Sequence, residues 1–392
     1  MKTSKWMTGL LAAAAISLNA PGAVAQVQGV GDSEVILGTH LDLSGPINSW
    51  GLPIKNGMEM AVEEINAAGG IHGRKIRLII EDSGYDPKKA VLITQKMLTQ
   101  DYIFAMVGAM GSPTAGATMP LVLKAGLPHL FPITPAEMFF EPFHKLKFAF
   151  FAPYYDDIRT GVKYLVQTRG KKKVGVLYQD DEFGANILKG VKDQLAAMNL
   201  PLVATTSYKR GATDFSSQIA RLKSDGVDLV VLGTIIRETV GAMGAARQAG
   251  WDVDFLISQA AYAPEVPMLG KQAVEGLYGS GQTPIPDAAA SSAEVVAWMK
   301  SYETRFAKPA NVQAVVGYIV MQTAALGLKN AGRNLTPDTL VAGIERIRNH
   351  RNMFGTAPFS FSADNHLATR EVFMARVQNG KWTRLTDFMT YR

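Results

Sequence analysis

The sequence predicts an α/β protein of two doubly wound, Rossmann-like lobes, and three observations carry that reading. Short apolar runs of strand length alternate with segments of helical periodicity. The alternation breaks off near Phe151 and begins again at Val174. At 392 residues the chain is also too long for one hydrophobic core, since single cores stop growing near ~250–300 residues.

Glu34–Leu41 reads as the first strand. Ile54, Met58, Ala61, Val62 and Ile65 recur at helical spacing, and Gly69-Gly70 stops that helix. Arg77–Ile80 is a second strand, and Asp86-Pro87 opens a helix to about Gln100 as cap and first-turn proline. Ile103–Val107 is a third strand, followed by Gly108–Pro113 and a helix to about Ala125. His129 falls inside a further strand and reads as structural. The second run comprises strands Val174–Tyr178, Leu202–Tyr208, Val227–Leu232 and Phe255–Ser258. Between them lie helices Phe183–Met198, Asp214–Ser224 and one ending near Gln248. Strand, loop and helix repeated in this way imply parallel βαβ units. Gly279–Pro286 reads as a linker, and helices Ala293–Phe306 and Val312–Ala331 follow it.

Composition is that of an ordinary globular protein, 47% hydrophobic and 19% charged. The net charge of +6 is scattered, and its one dense run, Lys171–Lys173, immediately precedes apolar Val174–Leu177. That is a solvated loop entering a buried strand, so no nucleic-acid partner is expected. The absence of cysteine removes disulfides and thiolate chemistry. Lys2 and Lys5, the apolar run Leu10–Ile16, and Ala23-Val24-Ala25 predict a signal peptide over residues 1–25. The apolar run is too short to span a bilayer, so the expected product is exported and starts near Gln26.

No phosphate-binding loop, HExxH, GxSxG or dinucleotide fingerprint is present, and the six histidines lack metal-ligand spacing. We therefore expect no enzyme, no cofactor and no metal. One candidate site is the helix start Gly111-Ser112, beyond the carboxyl end of a strand, where free N–H groups and a hydroxyl would receive an anion. Ser112 reads equally as a plain N-cap with Pro113 at the first helical position.

Several blocks resemble a known family: Ser44-Gly45-Pro46, Gly57, Ala61-Val62-Glu63-Glu64-Ile65-Asn66-Ala67-Ala68-Gly69-Gly70-Ile71-His72-Gly73-Arg74, Asp86-Pro87, Ser112, Gly126-Leu127-Pro128 and Asp180–Gly184. They are similar to the type I periplasmic binding proteins, and more narrowly to the leucine/isoleucine/valine-binding family of ABC importers. The resemblance implies two lobes joined by three crossings, residues 32–153 with 283–358 and residues 154–282 with 359–392. It also implies a periplasmic receptor, monomeric, that closes its hinge on a small ligand and presents it to a membrane permease and its ATPase.

Site residues follow from the same resemblance. Ser112, preceded by Met110 and Gly111, matches the carboxylate-binding serine. Trp50 and Phe183 match aromatic residues at the mouth and over the ligand, and Ile133-Thr134 stands in the place of a hydroxyl-bearing loop. Tyr154 and Tyr262, with Phe151, are further aromatic candidates. Two departures stand out. Gln259 replaces the acidic residue that holds a ligand's ammonium, and Ile235, with Arg237 two residues on, replaces an aromatic. A buried ammonium without its carboxylate loses a bond worth ~1.5–3 kcal/mol. The expected ligand is therefore a small hydrophobic or aromatic carboxylate. The alternatives are a branched-chain or other hydrophobic amino acid, or a sensory module of the same fold, disfavoured by the lack of a signalling segment after Arg392.

Overall fold

The protein is described here by a computed structural model covering residues 27–392, and the signal peptide expected over residues 1–25 lies outside the described residues. The first run of the chain comprises β1 (Glu34–Leu41), α1 (Asn48–Ala67), β2 (Lys75–Asp82), α2 (Pro87–Thr99), β3 (Ala105–Val107), α3 (Ser112–Lys124), β4 (His129–Leu130) and β5 (Lys147–Phe148). These strands form a parallel sheet of order β2-β1-β3-β4-β5.

The second run comprises α4 (Tyr154–Arg169), β6 (Val174–Gln179), α5 (Glu182–Ala197), β7 (Leu202–Tyr208), α6 (Ser216–Ser224), β8 (Leu229–Gly233), α7 (Ile236–Gln248), β9 (Asp254–Ile257), α8 (Glu265–Gly270) and β10 (Tyr278–Gly281). The chain then returns to the first sheet with α9 (Ala293–Phe306), α10 (Val312–Ala331) and α11 (Pro337–Glu345). It ends on the second with β11 (Phe373–Gln378) and β12 (Lys381–Arg384), giving the order β12-β11-β10-β9-β8-β6-β7. β11 pairs antiparallel with both β10 and β12 at this edge, while the pairs from β10 through β9, β8 and β6 to β7 are parallel.

Local chemistry explains the boundaries. Asp86 accepts the Lys88 N–H at 2.8 Å and so caps α2, with Pro87 at its start. α1 begins at Asn48, ahead of the Ile54 expected from periodicity, because Asp42 accepts the Gly45 and Ile47 N–H groups at 2.5 and 2.7 Å and fixes the turn before it. α10 is long and apolar, yet 83% of its most apolar window is buried, mainly against α1 and α11. It is a core helix.

The segment expected to be a linker, Gly279–Pro286, begins instead as β10, a buried inner strand. Its glycines suggested a flexible connection, but they are packing devices. A Cβ on Gly281 would meet the Phe373 and Tyr262 rings at 2.7 and 2.8 Å. The later segment Phe359–Ala368 runs along the first sheet. Ala149 exchanges backbone bonds with His366 and Ala368 at 2.9 and 3.0 Å, and the Phe361 ring packs on Phe131 and Phe148.

Both sheets turn the carboxyl ends of their strands toward one cleft. β3 leads to Met110-Gly111-Ser112, β6 to Phe183, β8 to Ile235 and β9 to Gln259. Open α/β sheets bind ligands at such ends.

Candidate functional site

The cleft holds about 710 Å³ of space not filled by protein atoms, its opening to solvent included. One wall is the start of α3. A parallel bridge between Met110 and Ile133, with Gly111 N–H on the Ile133 carbonyl (3.2 Å) and Ile133 N–H on the Ala109 carbonyl (2.9 Å), sets two loops side by side. Ser112 and Thr134 thereby face each other, their hydroxyl oxygens 2.6 Å apart and both residues buried.

The plain-cap reading of Ser112 does not hold. Gly111, at φ 92°, is the N-cap, Ser112 is the first helical residue, and Pro113 is the second. No side chain caps this helix, and the first N–H to bond back is that of Ala115, to Gly111 at 2.8 Å. The Ser112 and Thr114 N–H groups precede the helical ladder, at the positive end of the helix dipole. Gly111 is required twice over, by its positive φ and because a Cβ would sit 2.5 Å from the Tyr85 ring.

The remaining walls are apolar. Phe183 stands at the start of α5, where Asp181 accepts its N–H at 3.0 Å, and its ring meets that of Tyr154 edge-on at 4.9 Å. Trp50, Phe151, Ile133, Ile235 and Tyr262 complete the enclosure, and Tyr262 is itself held by Phe373 and Trp382. No Asp, Glu, Lys, Arg or His is found among the described residues lining the cavity.

Gln259 also lines it. Its Nε2 donates to the Ala152 carbonyl at 2.8 Å, and its backbone N–H donates to buried Asp157 at 3.0 Å. A flipped amide would press oxygen against the Ala152 carbonyl, so Oε1, an acceptor, is the polar atom left for the cavity. Gln282 completes the frame, accepting the Ala152 N–H at 2.7 Å. Burial pushes the Asp157 carboxyl up to about 6.

Arg237 is the expected site residue that does not line the cavity. It follows Ile235 onto α7, its side chain turns to the lobe boundary, and it donates to the Pro46 carbonyl at 2.5 Å. Arg210 makes a matching bond to the Tyr85 carbonyl at 3.1 Å. On another side Glu265 accepts from Asn311 and Gln313 at 3.1 and 2.9 Å. The two lobes are thus closed on each other.

The structure adds Tyr85, Ile47, Pro135, Ala260, Gln282, Thr283, Val312 and Val316 to the lining. Val312 and Val316, four apart on an apolar helix, carry no signal distinct from core. Tyr85 has one only in hindsight: it precedes Asp86-Pro87 and holds a positive φ of 58°, a strained setting that clusters at functional sites.

A family model described as periplasmic binding protein matches residues 34–381. A Pseudomonas aeruginosa protein named "Amino acid binding protein" is 27% identical over 276 residues, 68% of this chain and 73% of that one. A solved Thermomonospora curvata structure, described as a fatty acid ABC transporter substrate-binding protein, is 26% identical. It superposes with a TM-score of 0.82 over 94% of this chain and 95% of its own. A solute-binding protein of R. palustris solved with benzoate is 21% identical with a TM-score of 0.77, over 90% and 96% of the two chains, a likeness of fold.

Proposed function

The chain belongs to the periplasmic binding protein family, of the leucine/isoleucine/valine-binding type, and from that premise we propose that it is the exported receptor of an ABC importer for small hydrophobic or aromatic carboxylates. The observation that carries this reading is the pairing of an anion-receiving end with an otherwise uncharged cavity. At one end Ser112, Thr134 and the start of α3 offer hydroxyls and N–H groups. At the other, Gln259 offers an ammonium no charge to pair with. The fatty-acid description of the T. curvata relative accords with a carboxylate that bears no amino group.

In this reading the lobes are joined by three crossings, near Pro153, near Gln282 and, because Phe359–Ala368 packs along the first sheet, after Ala368. Ligand contacts made only in the closed form bias the hinge. A micromolar ligand supplies about 8 kcal/mol, enough for a ~10⁴-fold population shift costing about 5.5 kcal/mol. Such closure is what a permease and its ATPase would read.

A second reading, a receptor for hydrophobic amino acids, is favoured by the P. aeruginosa relative's name. Thermal shift with matched acids separates the two: 3-phenylpropanoate against phenylalanine, 4-methylpentanoate against leucine, and benzoate. At ~100 times its dissociation constant a ligand stabilises by about 2.7 kcal/mol. We expect the acids without an amino group to raise the melting temperature. A rise with the amino acids alone overturns the first reading in favour of the second.

A further inference from the structure

Behind the cavity wall, Asp157 of α4 is fully buried and accepts three donors: the Gln259 N–H at 3.0 Å, the Gln259 Nε2 at 3.4 Å and the Ser280 hydroxyl. Gln259 therefore stands between a carboxylate and the Ala152 carbonyl, both of them acceptors, and supplies donors to each. A glutamate in that place would set a second carboxylate beside Asp157 and aim oxygen at oxygen. Two buried like charges at hydrogen-bond distance do not both persist. Asp157 itself does not line the cavity, and its oxygens are already taken.

We infer that Asp157 is the positioning residue that fixes position 259 as a neutral amide, and that the pair makes the cavity select acids lacking an ammonium group. This rests on the carboxylate-binding reading given above. The cavity-facing consequence is an Oε1 that can accept from a ligand hydroxyl or amide but cannot neutralise a cation. Transferring the negative charge from position 157 to position 259 should then admit the amino acid.

The test uses the full chain as wild type, Gln259→Glu, Asp157→Asn and the double variant at pH 8, with two measurements. The first is the urea midpoint. Gln259→Glu should lower it in the wild-type background and much less in the Asp157→Asn background. An equal loss in both backgrounds overturns the inference. The second is calorimetric affinity for 4-methylpentanoate and for leucine. The wild type should prefer the first by about tenfold to a hundredfold, the range of one charge-assisted bond, and the double variant should lose or reverse that preference. A double variant that folds and keeps the wild-type preference also overturns it. Wild type that binds neither acid, with the urea coupling intact, sinks the carboxylate reading and leaves the assignment of Asp157 to position 259 standing.

Discussion

The hydroxyl oxygens of Ser112 and Thr134 lie 2.6 Å apart, joining the first turn of a helix to the loop beside it. Thr134 also accepts the Ala136 N–H at 3.3 Å, and of the two hydroxyls one donates to the other and one keeps its proton for a third group. A carboxylate placed here would receive the one hydroxyl proton that the pair does not use between its own oxygens, together with the free N–H groups of the helix start. Ser112→Ala should weaken the best acid by about tenfold to a hundredfold, the value of a hydrogen bond to a charged group. Calorimetry on the folded variant decides it, and unchanged affinity would mean that the carboxylate binds elsewhere.

Arg237 and Pro46 make a different kind of contact, from side chain to backbone carbonyl across the lobe boundary. Arg237→Ala should weaken the closed form whatever the ligand, raising every dissociation constant by the same factor, roughly twofold to tenfold for a bond of ~0.5–1.5 kcal/mol. Stopped-flow release rates should rise in parallel. A change in the rank order of ligands would show instead that Arg237 touches them.

The two runs of βαβ units were legible because buried strands and amphipathic helices differ in period, and Ser112 was legible because it opens a helix after a strand. What escaped depends on distance along the chain. Gln259 announces a missing acid, but its partner Asp157 is 102 residues away and reads in sequence as one more polar residue of a helix. Tyr85 enters the cavity only because its backbone is left-handed and the second lobe closes over it. Arg237 was drawn to the ligand by its nearness to Ile235, yet one step into α7 redirects the side chain.

Two buried histidines give the first lobe a pH dependence. Burial lowers His40 to about 4 and His129 to about 3, against an unfolded value near 6.5. Between those values the unfolded chain binds the extra protons, so stability is full above about pH 6.5 and is lost as the pH falls below it. At pH 5 the loss is of order 2 kcal/mol for each histidine. Asp157 acts with the opposite sign: its folded carboxyl, raised to about 6, takes up a proton before the unfolded one does and favours folding as acid is added. Asp181 and Glu238, also raised by burial, push in the same direction. Urea midpoints should therefore fall from pH 7 to pH 5, and more steeply in Asp157→Asn than in the wild type. Parallel curves for the two proteins would contradict the raised Asp157.

Gly281 links strand packing to the cavity directly. Its absent Cβ leaves room for the Phe373 and Tyr262 rings, and Tyr262 is a cavity wall. Gly281→Ala must displace one ring or the other. Phe373 lies in β11 and is fully buried, so it has little freedom to move. Tyr262 faces empty space on its cavity side, and the easier adjustment is a shift of that ring toward the ligand. Overpacking of this kind costs about 1–3 kcal/mol, which a urea midpoint will register. The informative result lies in ligand size: affinity for a ring-bearing acid such as 3-phenylpropanoate should fall several-fold more than affinity for a short acid such as butanoate. Equal losses for both would show that the alanine is absorbed on the Phe373 side, and that Tyr262 does not set the size limit of the cavity.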